Sequence, residues 1–261
     1  MEVQAVAGGG DFELSITLGK TVILAGVWTT DLVFNDESLQ PVSPWELVCR
    51  HRNRSVKYVE ASQRWTAGVT LWRHLLLAPR DGWLLVAEAV TAPRDGEWQY
   101  RSLIPSTRGS TWRSVPRYTE GWIWAKGRAF CRALPVFASE WKAACSCRPI
   151  GIVNGWFQIA GGFAGRAFFA PVWFDLLRSR AGEAVTWRVL TVAEDRQIVP
   201  PDQAVAYRVQ VGSKHWLLYR TLAPAKKRSF FGHQLVSDLL FARWDPEKDV
   251  LPLLELVDVP E

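Results

Sequence analysis

Four charged side chains, Glu60, Arg73, Glu88 and Arg101, fall near the middles of four successive apolar segments. Arginine grips a carboxylate through a bidentate fork, so such a row across adjacent strands supports two readings. One is an ion-pair ladder on a solvated sheet face, worth a few tenths of a kcal/mol per pair. The other is a polar strip in a concave sheet that hydrogen-bonds sugar hydroxyls or carboxylates. Together with His74, Glu60 and Glu88 are also the residue types of acid–base chemistry on a sugar, if they converge in one pocket within about 10 Å. A second constellation is aromatic. On a strand, Trp122 and Trp124 project from the same face about 7 Å apart, and Trp112 and Arg113 lie just upstream. Flat indoles stack on sugar rings, although each could equally fill a core.

Other chemistries lack their signatures. There is no G-x-S-x-G nucleophile elbow, no G-x-x-x-x-G-K-[ST] phosphate loop and no H-E-x-x-H metal helix. The histidines at 51, 74, 215 and 233 have no ligand-type neighbour at short spacing, so neither a metal nor a cofactor is expected. Cys145-Ser146-Cys147 lacks the partner ligands of a zinc ribbon, and with Cys49 and Cys131 these cysteines read as buried thiols. Gly161-Gly162-Phe163-Ala164-Gly165 precedes no amphipathic helix that could present amides to a phosphate, and reads as a bulge or loop.

The elements that must position these residues are strands. Trp45 to Cys49, Val56 to Trp65, Val69 to Ala78, Trp83 to Val90 and Trp98 to Ile104 are short, β-rich and bounded by turn residues. Ala78-Pro-Arg-Asp-Gly82 recurs as Ala92-Pro-Arg-Asp-Gly96. Proline presets the first corner, aspartate bonds its own backbone and glycine takes the left-handed position, so both copies predict hairpin turns in a meander from Val56 to Ile104. The first loop pairs Ala78 with Trp83 and so places Arg73 opposite Glu88. Further strands follow from Gly121 to Val257, with helix limited to a turn or two in Pro171 to Ala181 and Ser237 to Phe241. Short strands at this spacing predict an all-β fold, a large antiparallel β-sandwich of supersandwich type spanning 1–261 as one domain.

Composition narrows the function classes. A 48% hydrophobic and 22% charged chain is globular and not disordered. Its fifteen tryptophans exceed what one core needs, so some are expected at the surface. The charge of +5 is scattered, the longest basic groups being Arg50-His51-Arg52-Asn53-Arg54 and Lys226-Lys227-Arg228, which argues against a nucleic-acid partner and for solvated edges and loop tips. No apolar stretch of membrane-spanning length and no signal peptide is present, so a full-length chain is expected in the cytoplasm.

The segment Trp72-Arg73-His74-Leu75-Leu76-Leu77-Ala78-Pro79-Arg80-Asp81-Gly82-Trp83-Leu84-Leu85-Val86-Ala87-Glu88-Ala89-Val90 resembles part of the C-terminal β-sandwich of heparinase II/III-like polysaccharide lyases. Ala204 to Arg220 with Gly232-His233-Gln234-Leu235-Val236 is similar to uncharacterised planctomycete proteins. The first likeness implies a sandwich that binds or scaffolds; the helical toroid that carries most catalytic residues in those lyases has no counterpart here, so no catalytic residue carries over. The expected function is a non-catalytic β-sandwich binding carbohydrate, in particular acidic polysaccharide. The alternatives are a structural or assembly protein with a protein partner, and a sugar-active enzyme using Glu60, Glu88 and His74.

Overall fold

The computed structural model describes residues 2–8, 10–145, 148–245, 247 and 249–257. The chain opens with a three-stranded antiparallel sheet, β1 (Glu2–Gly8), β2 (Asp11–Leu18) and β3 (Thr21–Val27). An eleven-stranded sheet follows, made of β4 (Thr29–Phe34), β5 (Glu37–Ser38), β6 (Glu46–Arg52), β7 (Lys57–Arg64), β8 (Thr70–Ala78), β9 (Trp83–Pro105), β10 (Thr111–Ser114), β11 (Gly121–Ala125), β12 (Arg128–Pro135), β13 (Ile150–Val153) and β14 (Trp156–Asp175). The remaining strands are β15 (Val185–Leu190), β16 (Val192–Glu194), β17 (Gln197–Ile198), β18 (Ala204–Val211), β19 (Lys214–Thr221), β20 (Arg228–Phe230), β21 (His233–Leu235), β22 (Leu239–Asp245) and β23 (Asp249–Leu256). They form a five-stranded sheet, β15-β18-β19-β22-β23, and a four-stranded sheet, β17-β16-β20-β21. Helix among the described residues is limited to single 3₁₀ turns at Thr66–Gly68, Lys142–Ala144 and Arg178–Arg180. None is long and apolar enough to cross a membrane.

Side-chain alternation stacks these sheets in layers. On β8, Leu75 and Leu77 join Phe12, Leu14 and Ile16 of the first sheet in one core, while Leu76 and Ala78 turn the other way. There they meet Trp216, Leu218 and Phe241 of the five-stranded sheet. That sheet in turn sends Leu217, Tyr219 and Leu240 into a third core with Val192, Phe230 and Leu235. A sheet covered on both faces needs apolar residues at every position, which is why Trp83 to Val90 is buried throughout, Glu88 included. The architecture is the expected all-β sandwich, extended to four stacked sheets.

The two Ala-Pro-Arg-Asp-Gly copies behave differently. The first closes the β8–β9 hairpin, with Gly82 at φ 68° in the left-handed region and Ala78 paired with Trp83. The second makes no hairpin: β9 runs through it, and this corrects the expected meander. Thr91 pairs with Ala167 and Gly96 with Gly165, so Ala92 to Asp95 bulge outward against Arg166 alone. Pairing with β14, more than sixty residues away in sequence, outweighs the local turn preference. The glycine-rich stretch from Gly161 lies in β14 and carries the matching register shift after Gly165. Pro171 to Asp175 is strand, but the helical turn expected between Pro171 and Ala181 is present as the 3₁₀ turn Arg178–Arg180. The one expected in Ser237 to Phe241 is not, since Leu239 to Phe241 is strand. Cys131 is buried and Cys49 half-buried, whereas Ser146 and Cys147 of the C-x-C pair lie outside the described residues.

Candidate functional site

Period-two alternation aims Arg73 of β8 toward the first sheet, and the hairpin register sets it opposite Glu88 of β9. Arg73 is 2% exposed and Glu88 fully buried. The Arg73 Nε donates to Glu88 Oε1 at 2.8 Å, and its Nη2 donates to Thr30 Oγ1 at 2.9 Å. Thr30 donates on to Glu88 Oε1, and the Tyr100 hydroxyl donates to Oε2 at 2.8 Å. Burial, and after it Glu88, pushes the Tyr100 phenol well above its ordinary range, so it remains a donor. Burial pulls the Arg73 guanidinium below its ordinary value, with the charge of Glu88 opposing that pull. Its ζ carbon lies 4.3 Å from the Trp45 ring centroid, 4.4 Å from Trp28 and 5.1 Å from Phe12. The arginine is therefore fixed in an aromatic cage by charge, hydrogen bonds and cation–π contact.

One part of this arrangement is unfinished. Arg73 Nη1 is buried without a hydrogen-bond partner, and so is the indole nitrogen of Trp65. Both residues line a cavity of about 460 Å³ bounded also by Trp28, Trp45, Gln63 and Asp31. Leaving a buried donor unmet is costly, and more so when it is charged. The indole walls of the cavity suit a pyranose ring, and its arginine and indole donors suit a carboxylate, sulfate or sugar oxygen.

The four-residue charged row does not form. Ala61, and not Glu60, pairs with Arg73, because the β7–β8 register sets Glu60 opposite His74. A one-residue offset moves a side chain to the other face of a sheet, so Glu60 points at the five-stranded sheet. Arg101 lies farther along β9, beyond the bulge, and pairs with Asp31 at 2.6 Å; both side chains are about half exposed, at 56% and 54%. That pair sits at the rim of the Arg73 cavity. Three of the four charged candidates thus gather around one cavity, with Arg73 on its wall, Glu88 behind it and Arg101 at its mouth.

Glu60 belongs to a separate buried network. Tyr58 donates to Glu60 Oε2 at 2.8 Å, and Arg220 Nη2 of β19 donates to Oε1 at 2.9 Å. His74 Nδ1 lies 2.9 Å from the same Tyr58 hydroxyl. Since that hydroxyl's single proton goes to Glu60, His74 carries its own on Nδ1 and donates. Burial pushes the His74 pKa down to about 3, against which Glu60 pulls upward, so the imidazole is neutral. Glu60 and His74 face one layer and Glu88 the opposite one, so the acid–base triple expected for a sugar-active enzyme does not converge.

The aromatic constellation is split as well. Trp112 pairs with Ile123, packs beside Phe157 and joins the first core. Gly121 is demanded there, since a Cβ would stand 2.4 Å from the Trp112 ring. Arg113, Trp122 and Trp124 share the outer face, with the Arg113 guanidinium 3.6 Å from the Trp124 centroid and Arg132 5.6 Å from that of Trp122. Both indoles are half-buried, each with one ring face covered by arginine. Of the fifteen tryptophans seven are buried, seven half-buried and only Trp141 is exposed. Sequence reasoning missed Trp28, Thr30, Asp31, Trp45 and Trp65; the indoles were visible, but nothing local pairs β4 with β9.

No family model matches this chain, and no curated protein does. Solved structures do. A heparinase III gene product with methylated lysines superposes with a TM-score of 0.51 at 8% identity, over 84% of this chain and 38% of that one. The fold is similar to that of a part of this gene product. The heparan sulfate lyase HepC from Pedobacter heparinus gives a TM-score of 0.47 at 8% identity, over 82% of this chain and 36% of the lyase. This chain thus spans less than two fifths of either protein, and the likeness is one of fold.

Proposed function

We propose that this β-sandwich binds carbohydrate, and specifically acidic polysaccharide, without cleaving it. The observation that carries this reading is the cavity lined by Arg73 and Trp65, each of which has a buried side-chain donor without a partner. Unpartnered donors on the residues of a cavity wall favour an acceptor-rich group, and Arg73 favours one with negative charge. The volume of about 460 Å³ lies in the ordinary range for small-ligand sites and holds a sugar unit or two. The fold likeness to a heparinase III gene product agrees with a polysaccharide ligand. The separation of Glu88 from Glu60 and His74 favours binding over hydrolysis.

A glycan panel including uronic-acid oligosaccharides, read by tryptophan fluorescence and calorimetry, tests it. Expected is binding to an acidic member that weakens about fivefold or more in Trp65→Phe, which removes one donor and little volume. An absence of binding across the panel, or equal binding by Trp65→Phe, would count against the reading.

A further inference from the structure

The basic run Arg50-His51-Arg52-Asn53-Arg54 occupies the end of β6 and the turn into β7, at the margin of the eleven-stranded sheet. Arg50, Arg52, Arg54 and Lys57 are all exposed. None of them makes an ion pair with a carboxylate among the described residues, although ten Arg or Lys pairs of this kind occur elsewhere among them. Moreover, Arg52 and Lys57 are direct cross-strand partners. Like charges in that position destabilise a hairpin unless an anion lies between them.

The surface beside them is concave. Arg50, His51, Arg52 and Lys57 edge a cavity of about 550 Å³ that lies against β1, with the buried Leu75 and Leu77 behind it. Arg52, Arg54 and Lys57 border a second, of about 540 Å³, around Pro79. His51, which lines the first of these cavities, has its Nε2 buried without a partner. Phe12 lines both the 550 Å³ cavity and the Arg73 cavity. Trp45, just before β6 at the Arg73 cavity, and Arg52 at the end of β6 stand roughly 20 Å apart from the strand rise, a span of several sugar units.

We infer that the β6–β7 hairpin is a second, cationic subsite for a linear polyanionic polysaccharide, continuing from the Arg73 cavity along edge strand β6. This rests on the acidic-polysaccharide reading of that cavity and extends it from one sugar unit to a chain. The exposed cations bind the sulfates or carboxylates of the chain. A single-stranded nucleic acid would require exposed aromatic rings on which bases stack, and the one aromatic of the hairpin besides His51, Tyr58, is buried.

The test compares the wild-type protein with the triple variant Arg50→Gln, Arg52→Gln, Arg54→Gln, thermal unfolding confirming that both are folded. The probes are heparin as sulfated chain, polygalacturonate as carboxylated chain, single-stranded DNA, and a uronic-acid disaccharide for the Arg73 cavity. Expected is binding of one or both polysaccharides, weakened by salt, and at least about tenfold weaker in the triple variant. Disaccharide binding stays unchanged in that variant and falls in Trp65→Phe, so failure of the cavity shows separately as loss of the disaccharide alone. Equal polysaccharide binding by variant and wild type, no polysaccharide binding by the wild type, or DNA binding as tight as either polysaccharide, each overturns the proposal.

Discussion

Truncating Arg73 would leave Glu88 charged and buried, with only the Thr30 and Tyr100 hydroxyls as donors. We expect Arg73→Ala to cost about 3–5 kcal/mol in urea-induced unfolding, the range for breaking a buried pair by removing one partner. Arg101→Ala at the rim should cost under about 1 kcal/mol, because both partners are half exposed. Comparing the two separates a pair that holds the core from one that decorates its mouth. The facing of Arg73 and Glu88 was legible in the sequence, because a four-residue loop fixes hairpin register. Its burial was not, since that depends on β2 and β4 arriving over the same face. Glu60 misled for a related reason: the offset of the β7–β8 pairing by one residue decides its face, and no turn signal specifies it.

At the scale of elements, the contact between the eleven-stranded and five-stranded sheets holds a titratable relay. His74 has a pKa of about 3 in the folded chain, against an ordinary value of 6.5. As pH falls through 6.5 the unfolded chain takes up a proton that the folded one refuses. The stability due to neutral His74 is therefore complete above 6.5 and is lost progressively toward pH 3. Denaturation midpoints measured from pH 7 to pH 4 should fall, with a contribution from this group of up to about 1.4 kcal/mol per pH unit. His74→Gln should flatten that slope, and an unchanged slope would place the acid sensitivity elsewhere. The first Ala-Pro-Arg-Asp-Gly copy offers a second test. Gly82 is left-handed, and a Cβ there would lie 2.2 Å from Leu177. Gly82→Ala should destabilise by about 1–3 kcal/mol in the same assay.

For the molecule as a whole, stability comes from stacking. Trp83, Trp173 and Trp216 meet between two sheets, with centroids 4.6 Å apart for Trp83 with each of the others. Trp83→Ala should cost about 3–5 kcal/mol by chemical denaturation, as cavity-forming tryptophan losses do. Removing β1–β3 would strip Phe12 from the Arg73 cage and uncover Leu75, Leu77 and Val86. The shortened chain should aggregate, seen as a loss of the monomer peak in size-exclusion chromatography.

By itself the sequence determined the class of fold. Strand periodicity, β-branched and aromatic content and turn chemistry are local signals, and they specified antiparallel strands, the β8–β9 hairpin and the pairing of Arg73 with Glu88. It also showed more indoles than one core could use, without saying where they go. The tertiary structure decided the rest, because every other feature of the site joins residues far apart in the chain. Thr30 reaches Glu88 across 58 residues, and Arg220 reaches Glu60 across 160. Pairing of β9 with β14 turned a hairpin motif into a bulge and so carried Arg101 away from Glu88. The opening sheet, unread in the sequence, contributes Phe12 and closes the cavity over Arg73. Local sequence sets which face a residue can occupy, and only the stacking of layers decides which faces are dry, and hence which polar group is left without a partner.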